Sequence, residues 1–125
     1  MVSKYGSDII GKAIEQYHRA DSIKAMVVAA GILVDETSKV KGEQLIGAQR
    51  VVSSFFDALL REMEFARTVT GLQDLGKAGD KIREVAGRVQ MQEYSAANKC
   101  IGEALSFVTA CAQRAVELLK EEALW

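Results

Sequence analysis

The sequence predicts an all-α protein, an antiparallel up-down bundle of four helices at about residues 8–34, 43–70, 73–90 and 95–123. Apolar residues recur at intervals of three and four, which is the spacing of a helix with one buried face. No segment shows the sustained two-residue alternation of a strand. Proline, which interrupts helices, is absent from the sequence. The length fits one domain over residues 1–125.

The first helix is predicted from a single apolar stripe that ends at a polar segment. The stripe consists of Ala13, Tyr17, Ala20, Ile23, Val27, Ala30 and Val34. Residues 35–42 combine charged and hydroxyl side chains with a glycine, so they are predicted to form the first loop.

The second helix is apolar on more than one side. Its main stripe consists of Leu45, Ala48, Val52, Phe55, Leu59, Met63, Ala66 and Val69. Val51, Phe56 and Leu60 add a second stripe. A helix that is apolar over so much of its circumference is central or has a partner on its far side. Gly71 is predicted to end this helix in a left-handed conformation.

The third and fourth helices continue the same pattern. The third stripe consists of Leu72, Leu75, Gly79, Ile82, Ala86 and Val89, and the fourth of Ala97, Ile101, Ala104, Val108, Cys111, Ala115 and Leu118. Ser95 is predicted to cap the fourth helix, because serine side chains accept bonds from the first free amides of a helix. Because many stripe positions are alanine, we expect the helices to pack closely.

A repeated glycine pattern resembles a phosphate-binding loop but lacks its essential parts. Residues 6–13 and 71–78 share glycine, lysine and alanine positions, with alanine where the loop requires a hydroxyl. The loop also follows a strand, which this sequence does not supply. We therefore predict structural glycines, one at a helix start and the other at a close helix contact.

The two cysteines are predicted to be packing residues. On one helix Cys100 and Cys111 lie about 16 Å apart, too far for a disulfide. Free thiols at apolar positions fit a reducing cytosol, so the protein is predicted to be cytoplasmic. No apolar run approaches the length of a membrane span, and no secretory signal precedes the first helix.

The candidate ligands for a metal are Glu15, His18 and Glu62. Glu15 and His18 lie three residues apart, as in the carboxylate-bridged metal centres of some helical bundles. One chain has a single copy of this motif, so a metal site would need a two-fold dimer. Because both residues lie beside the apolar stripe, the favoured interpretation is a solvated flank, with no metal, no cofactor and no catalytic residue.

The charges are too evenly mixed to predict direct binding of nucleic acid. Sixteen basic and seventeen acidic residues give a formal charge of -1, and the basic residues of the third helix have Glu84 among them. No membrane partner is predicted either.

The apolar surplus instead predicts a protein interface. Its candidate residues are Phe56, Leu60, Val116, Leu119 and Trp125. Large apolar side chains left exposed form the patches that mark interfaces. The predicted function is a non-enzymatic interaction module that forms a homodimer or docks on a partner protein. The alternatives are a small subunit or chaperone of a secretion or nucleoprotein complex, and a metal-binding bundle built on Glu15 and His18.

Overall fold

A computed structural model describes residues 4–123, and over this range it confirms the predicted all-α fold. The helices are α1 (Lys4–Ser38), α2 (Glu43–Thr70), α3 (Gln73–Gln90) and α4 (Tyr94–Ala123). α1 and α3 each pack against both α2 and α4, so successive helices are neighbours around the bundle. Short turns join them, which makes each helix antiparallel to the next. None of these four helices combines the length and apolarity required to cross a bilayer.

The first helix is longer than predicted. It continues to Ser38, whereas its predicted end is residue 34. Thr37 is 3% exposed and lies three residues after Val34, so it extends the buried stripe by one position. Its hydroxyl donates a hydrogen bond to the carbonyl of Leu33 at 2.7 Å. The hydroxyl of Ser38 donates similarly to the carbonyl of Asp35 at 2.6 Å. Hydroxyl residues that bond back into the preceding turn are compatible with a helix.

The turn between α2 and α3 confirms the predicted role of Gly71. This residue is left-handed, with φ 72° and ψ 10°, and its amide donates to the carbonyl of Arg67 at 2.8 Å. The buried hydroxyl of Thr70 accepts a bond from the amide of Leu72 at 3.2 Å. The side-chain amide of Gln16 reaches from α1 to the carbonyl of Thr70 at 3.1 Å. The end of α2 is thereby bonded to α1.

The prediction that Ser95 caps α4 is wrong. The helix starts at Tyr94, and the amide of Ala97 donates to the carbonyl of Glu93 at 2.9 Å. Ser95 therefore lies inside the first turn, where it is exposed. The change of direction before it is made at Gln92, which is left-handed with a φ of 59°.

The core runs along the inner side of all four helices. Its largest fully buried side chains are Phe56, Leu59, Met63, Leu75, Ile82, Val27, Val34, Val85, Val89, Val108 and Cys111. Phe56, predicted for the outer stripe, instead lies in this core with 1% of its surface exposed. On α2 the core therefore uses Phe56 and Thr70, where the sequence pattern predicts Phe55 and Val69.

Small residues allow α1 and α4 to approach closely. Ala20, Ala30 and Ala104 have no exposed surface. A side chain added at Gly31 would come within 3.3 Å of Ile101 on α4, which is tighter than ordinary packing. Gly31 does not belong to the repeated glycine pattern. The glycines of that pattern differ from one another in the space around them.

Only part of the repeated glycine pattern has the predicted packing role. A side chain at Gly76 would meet the Arg67 side chain at 3.1 Å. Gly11 has open space around it, so the expectation of a close helix contact is wrong at this position. Gly47 and Gly102 also have open space around them. A helical sequence does not reveal which glycines face a neighbour.

Adjacent valines on α1 offer a matched test of this core. Val27 is fully buried and Val28 is 46% exposed. Val27→Ala should lower the free energy of unfolding by about 2 kcal/mol, because it removes buried apolar surface and leaves a cavity. Val28→Ala should change it by no more than about 0.5 kcal/mol. Urea titrations of the two variants followed by circular dichroism would measure both values, and equal losses would contradict the assigned inner face of α1.

Candidate functional site

Three apolar residues of α2 form a row spaced by seven, and its two large members are exposed. Val51, Ala58 and Phe65 form this row, and seven residues are two helical turns, so all three point in one direction. Phe55 and Val69 lie beside the row. Val51 is 66% exposed, Phe65 53% and Val69 41%, whereas Ala58 and Phe55 are half-buried. We call these five residues the α2 outer face.

The burial of Phe56 explains why this face points outward. Phe65 follows Phe56 by nine residues, which at about 100° per residue places it on the opposite side of the helix. The guanidinium carbon of Arg19 on α1 lies 5.0 Å from the centre of the Phe65 ring, a cation–π contact at the edge of the face. The Phe55 ring packs edge-to-face on that of Phe56, with centres 6.3 Å apart.

A row of exposed charges borders the α2 outer face on the side of α3. It consists of Arg50, Asp57, Arg61 and Glu64, spaced by seven, four and three residues. The sign alternates along the helix. An apolar centre with a charged, solvated border is the usual anatomy of a protein interface.

The other predicted interface residues do not join this surface. Leu60 is half-buried and lines the groove between α2 and α3. Val116 is half-buried and lines a groove between α1 and α4, and Leu119 is half-buried on α4. Trp125 lies outside the described residues. The predicted set is therefore spread over different seams of the bundle.

The groove between α2 and α3 has a volume of about 400 Å³. It forms where Gly76 and Gly79 carry no side chains. Its charged groups are paired with acids one helical turn away: Arg67 donates to Glu64 at 3.1 Å and Arg83 to Asp80 at 2.8 Å. The hydrogen bond from Arg67 lowers the pKa of Glu64 below its ordinary value. Such pairs are typical of a solvated helix surface.

The candidate metal ligands are not brought together. Glu15 and His18 are exposed on α1, and Glu15 lies 3.7 Å from the guanidinium of Arg19. The side chains of Glu15 and His18 border a shallow groove on α1. Glu62 is exposed on α2. Over the described part of the chain, no group of three or more histidine, cysteine or carboxylate side chains has an arrangement that could hold a metal ion.

Both thiols are buried on α4. Cys100 donates a hydrogen bond to the carboxylate of Glu84 on α3 at 2.8 Å. Burial, and then this bond, raise the pKa of Cys100. Burial raises the pKa of Cys111 to about 11, with a further contribution from Asp74. A thiol becomes a nucleophile only as the thiolate, so this environment opposes reactivity.

One buried carboxylate joins α3 to α4. Asp74 is 8% exposed in the first turn of α3, where the helix dipole favours a negative charge. Its Oδ2 lies 3.0 Å from the guanidinium of Arg114, and its Oδ1 lies 3.7 Å from the ammonium of Lys77. With cations on both oxygens, Asp74 is a structural link between helices.

Comparison with protein-family models, curated proteins and solved structures finds no match to this chain. The candidate site therefore depends on the geometry of the chain itself.

Phe65 is absent from the interface residues predicted from the sequence. The links made by Asp74 and Glu84 were not predicted either. The seven-residue repeat Val51–Ala58–Phe65 is the signal that could have revealed the outer row. No local pattern identifies Asp74 or Glu84, because their partners Arg114 and Cys100 lie far along the chain on another helix.

The environment of the two cysteines predicts slow modification of the native protein. At about pH 8, a thiol with a pKa of about 11 is ionised in only about one molecule in a thousand. Modification of Cys111 by a disulfide reagent should therefore be at least about 100-fold slower in the native protein than in the unfolded chain, and modification of Cys100 should also be slowed. Absorbance of the released thiol measures both rates. A Ser106→Cys control, exposed on α4, should react rapidly with one equivalent, and rapid reaction of the unsubstituted protein would contradict the assignment.

Proposed function

We propose that the protein is a non-enzymatic interaction module that self-associates through the α2 outer face. The observation that carries this proposal is the row Val51–Ala58–Phe65, whose outer members are 66% and 53% exposed. Covering a large apolar side chain contributes about 1.5–3 kcal/mol relative to leaving it in water. These side chains lie along one side of one helix within about 21 Å, so a single partner surface can cover them together.

The charge balance supports a second copy as the partner. A formal charge of -1 gives two copies little long-range repulsion. The border of the face carries both signs, so it can form ion pairs with a surface of the same composition. In a two-fold dimer every contact is made twice, which doubles the effect of a small patch.

Charge substitution in the α2 outer face tests this proposal. Val51→Glu and Phe65→Glu should each abolish self-association while leaving helicity unchanged, because both side chains are exposed in one copy. Each substitution occurs twice in a dimer and removes at least about 1.5 kcal/mol each time, so the dissociation constant should rise by about 100-fold or more. Light scattering after size-exclusion chromatography measures the mass against 13.6 kDa for one chain.

Val28→Glu is the matched control. Val28 is 46% exposed, so the same change from valine to glutamate is made at another outward position. It lies two turns before Asp35, whose carboxylate accepts a hydrogen bond from Asn98 on α4, and it therefore belongs to the side of α1 next to α4. The Val28→Glu variant should have the same oligomeric state by light scattering as the unsubstituted protein. A monomeric unsubstituted protein, or dimers that persist in both α2 variants, would reject the proposal.

A further inference from the structure

We infer that the second copy packs with its α2 antiparallel to the first, so that the two helices cross at Ala58. This inference rests on the proposed function and specifies its geometry. Two properties of the α2 outer face lead to it: the order of apolar residues and the order of charges. When a second α2 runs in the opposite direction, its apolar residues and its charges are complementary to those of the first.

The apolar row is symmetric about its smallest member. Val51 lies seven residues before Ala58, and Phe65 lies seven residues after it. In an antiparallel pair centred on Ala58, Val51 of each copy faces Phe65 of the other. The alanine at the crossing allows the helix axes to approach to about 8–10 Å, the usual distance of packed helices. The large side chains on either side then cover each other.

The charged row gives the same direction independently. Arg50, Asp57, Arg61 and Glu64 read plus, minus, plus, minus along α2. Reversal about Ala58 pairs Arg50 with Glu64 of the second copy. It pairs Asp57 with Arg61 in the same way. In a parallel two-fold pair the two charged rows would lie on opposite edges of the interface, and none of these pairs would form.

The distances permit these pairs. Residues are directly opposite when their numbers sum to 116, and the two charge pairs sum to 114 and 118. The two residues of each charge pair are therefore offset by two residues, or about 3 Å, along the helix axis. Long side chains can span this offset. Glu64 is also paired with Arg67 of its own chain, so Arg50 of the second copy would share its carboxylate with Arg67.

Single cysteine substitutions test the crossing point. In a background with Cys100→Ala and Cys111→Ala, Ala58→Cys places two thiols at the two-fold axis. Their Cα atoms then lie within the limit of about 7 Å for a disulfide. Mild oxidation should convert most of this variant to a covalent dimer. The matched control, Ser106→Cys, is exposed on α4 and should give only a background level of dimer.

Mixed cysteine variants test the direction. In the antiparallel pair, position 51 of one copy lies opposite position 65 of the other, and these two positions are about 21 Å apart along a helix. Position 51 is therefore far from position 51 of the other copy, and the same holds for position 65. Neither Val51→Cys nor Phe65→Cys should cross-link with itself. An equimolar mixture, with one variant carrying a mass label, should give a disulfide between one copy of each. Mass spectrometry of the oxidised product distinguishes this species from the two symmetric dimers.

The outcomes separate this inference from the proposed function. A dimeric mass for the background protein, with cross-linking at Ala58→Cys and in the Val51→Cys and Phe65→Cys mixture, supports both. A dimeric mass with cross-linking of Val51→Cys to itself overturns the antiparallel direction and leaves self-association in place. A dimeric mass without cross-linking at Ala58→Cys overturns the crossing point. A monomeric background protein, with the unsubstituted protein also monomeric, overturns self-association and this inference together.

Discussion

The fold depends on one constraint, the burial of a single side of each helix in a core that four helices share. α1 and α4 meet that constraint with small residues such as Ala30 and Ala104, whereas α2 contributes the bulky Phe56, Leu59 and Met63. A helix can direct only one side of its circumference inward. Since Phe56 is buried, the side of α2 that carries Val51 and Phe65 must face outward. The exposed apolar row is therefore a geometric consequence of how the core is filled.

A few polar side chains link neighbouring helices of the bundle. Asp74 links α3 to Arg114 of α4, and Glu84 accepts the hydrogen bond of Cys100. In the groove between α2 and α3, the charged side chains are paired one helical turn apart. Groups paired in this way have part of their charge compensated. The α2 outer face differs, because its exposed apolar atoms gain free energy only when another surface covers them.

The sequence was sufficient to predict the number of helices and most of their ends, because three-and-four spacing and Gly71 are local signals. It predicted the end of α1 wrongly, since Thr37 looks like a loop residue until its hydroxyl is seen bonded to Leu33. It also misassigned Phe55 and Phe56, which belong to adjacent stripes of a helix that is apolar on two sides. Periodicity fixes the angle between two stripes but not which stripe faces the core. That choice depends on the other three helices, so the candidate site could not be derived from α2 alone.

Symmetry and charge support the proposed pairing of this surface with its own copy. A different protein would need its own surface with a complementary apolar row and a complementary order of charges. A second copy matches both when reversed, because Val51 and Phe65 are equidistant from Ala58 and the charge order inverts on reversal. Two-fold symmetry also makes each favourable pair occur twice and closes the assembly at two chains, which limits further growth. In a parallel two-fold pair the charged rows of the two copies would lie on opposite edges of the interface, so they could not pair with each other. In the proposed dimer the charged border would select the direction, and the apolar row would contribute most of the affinity.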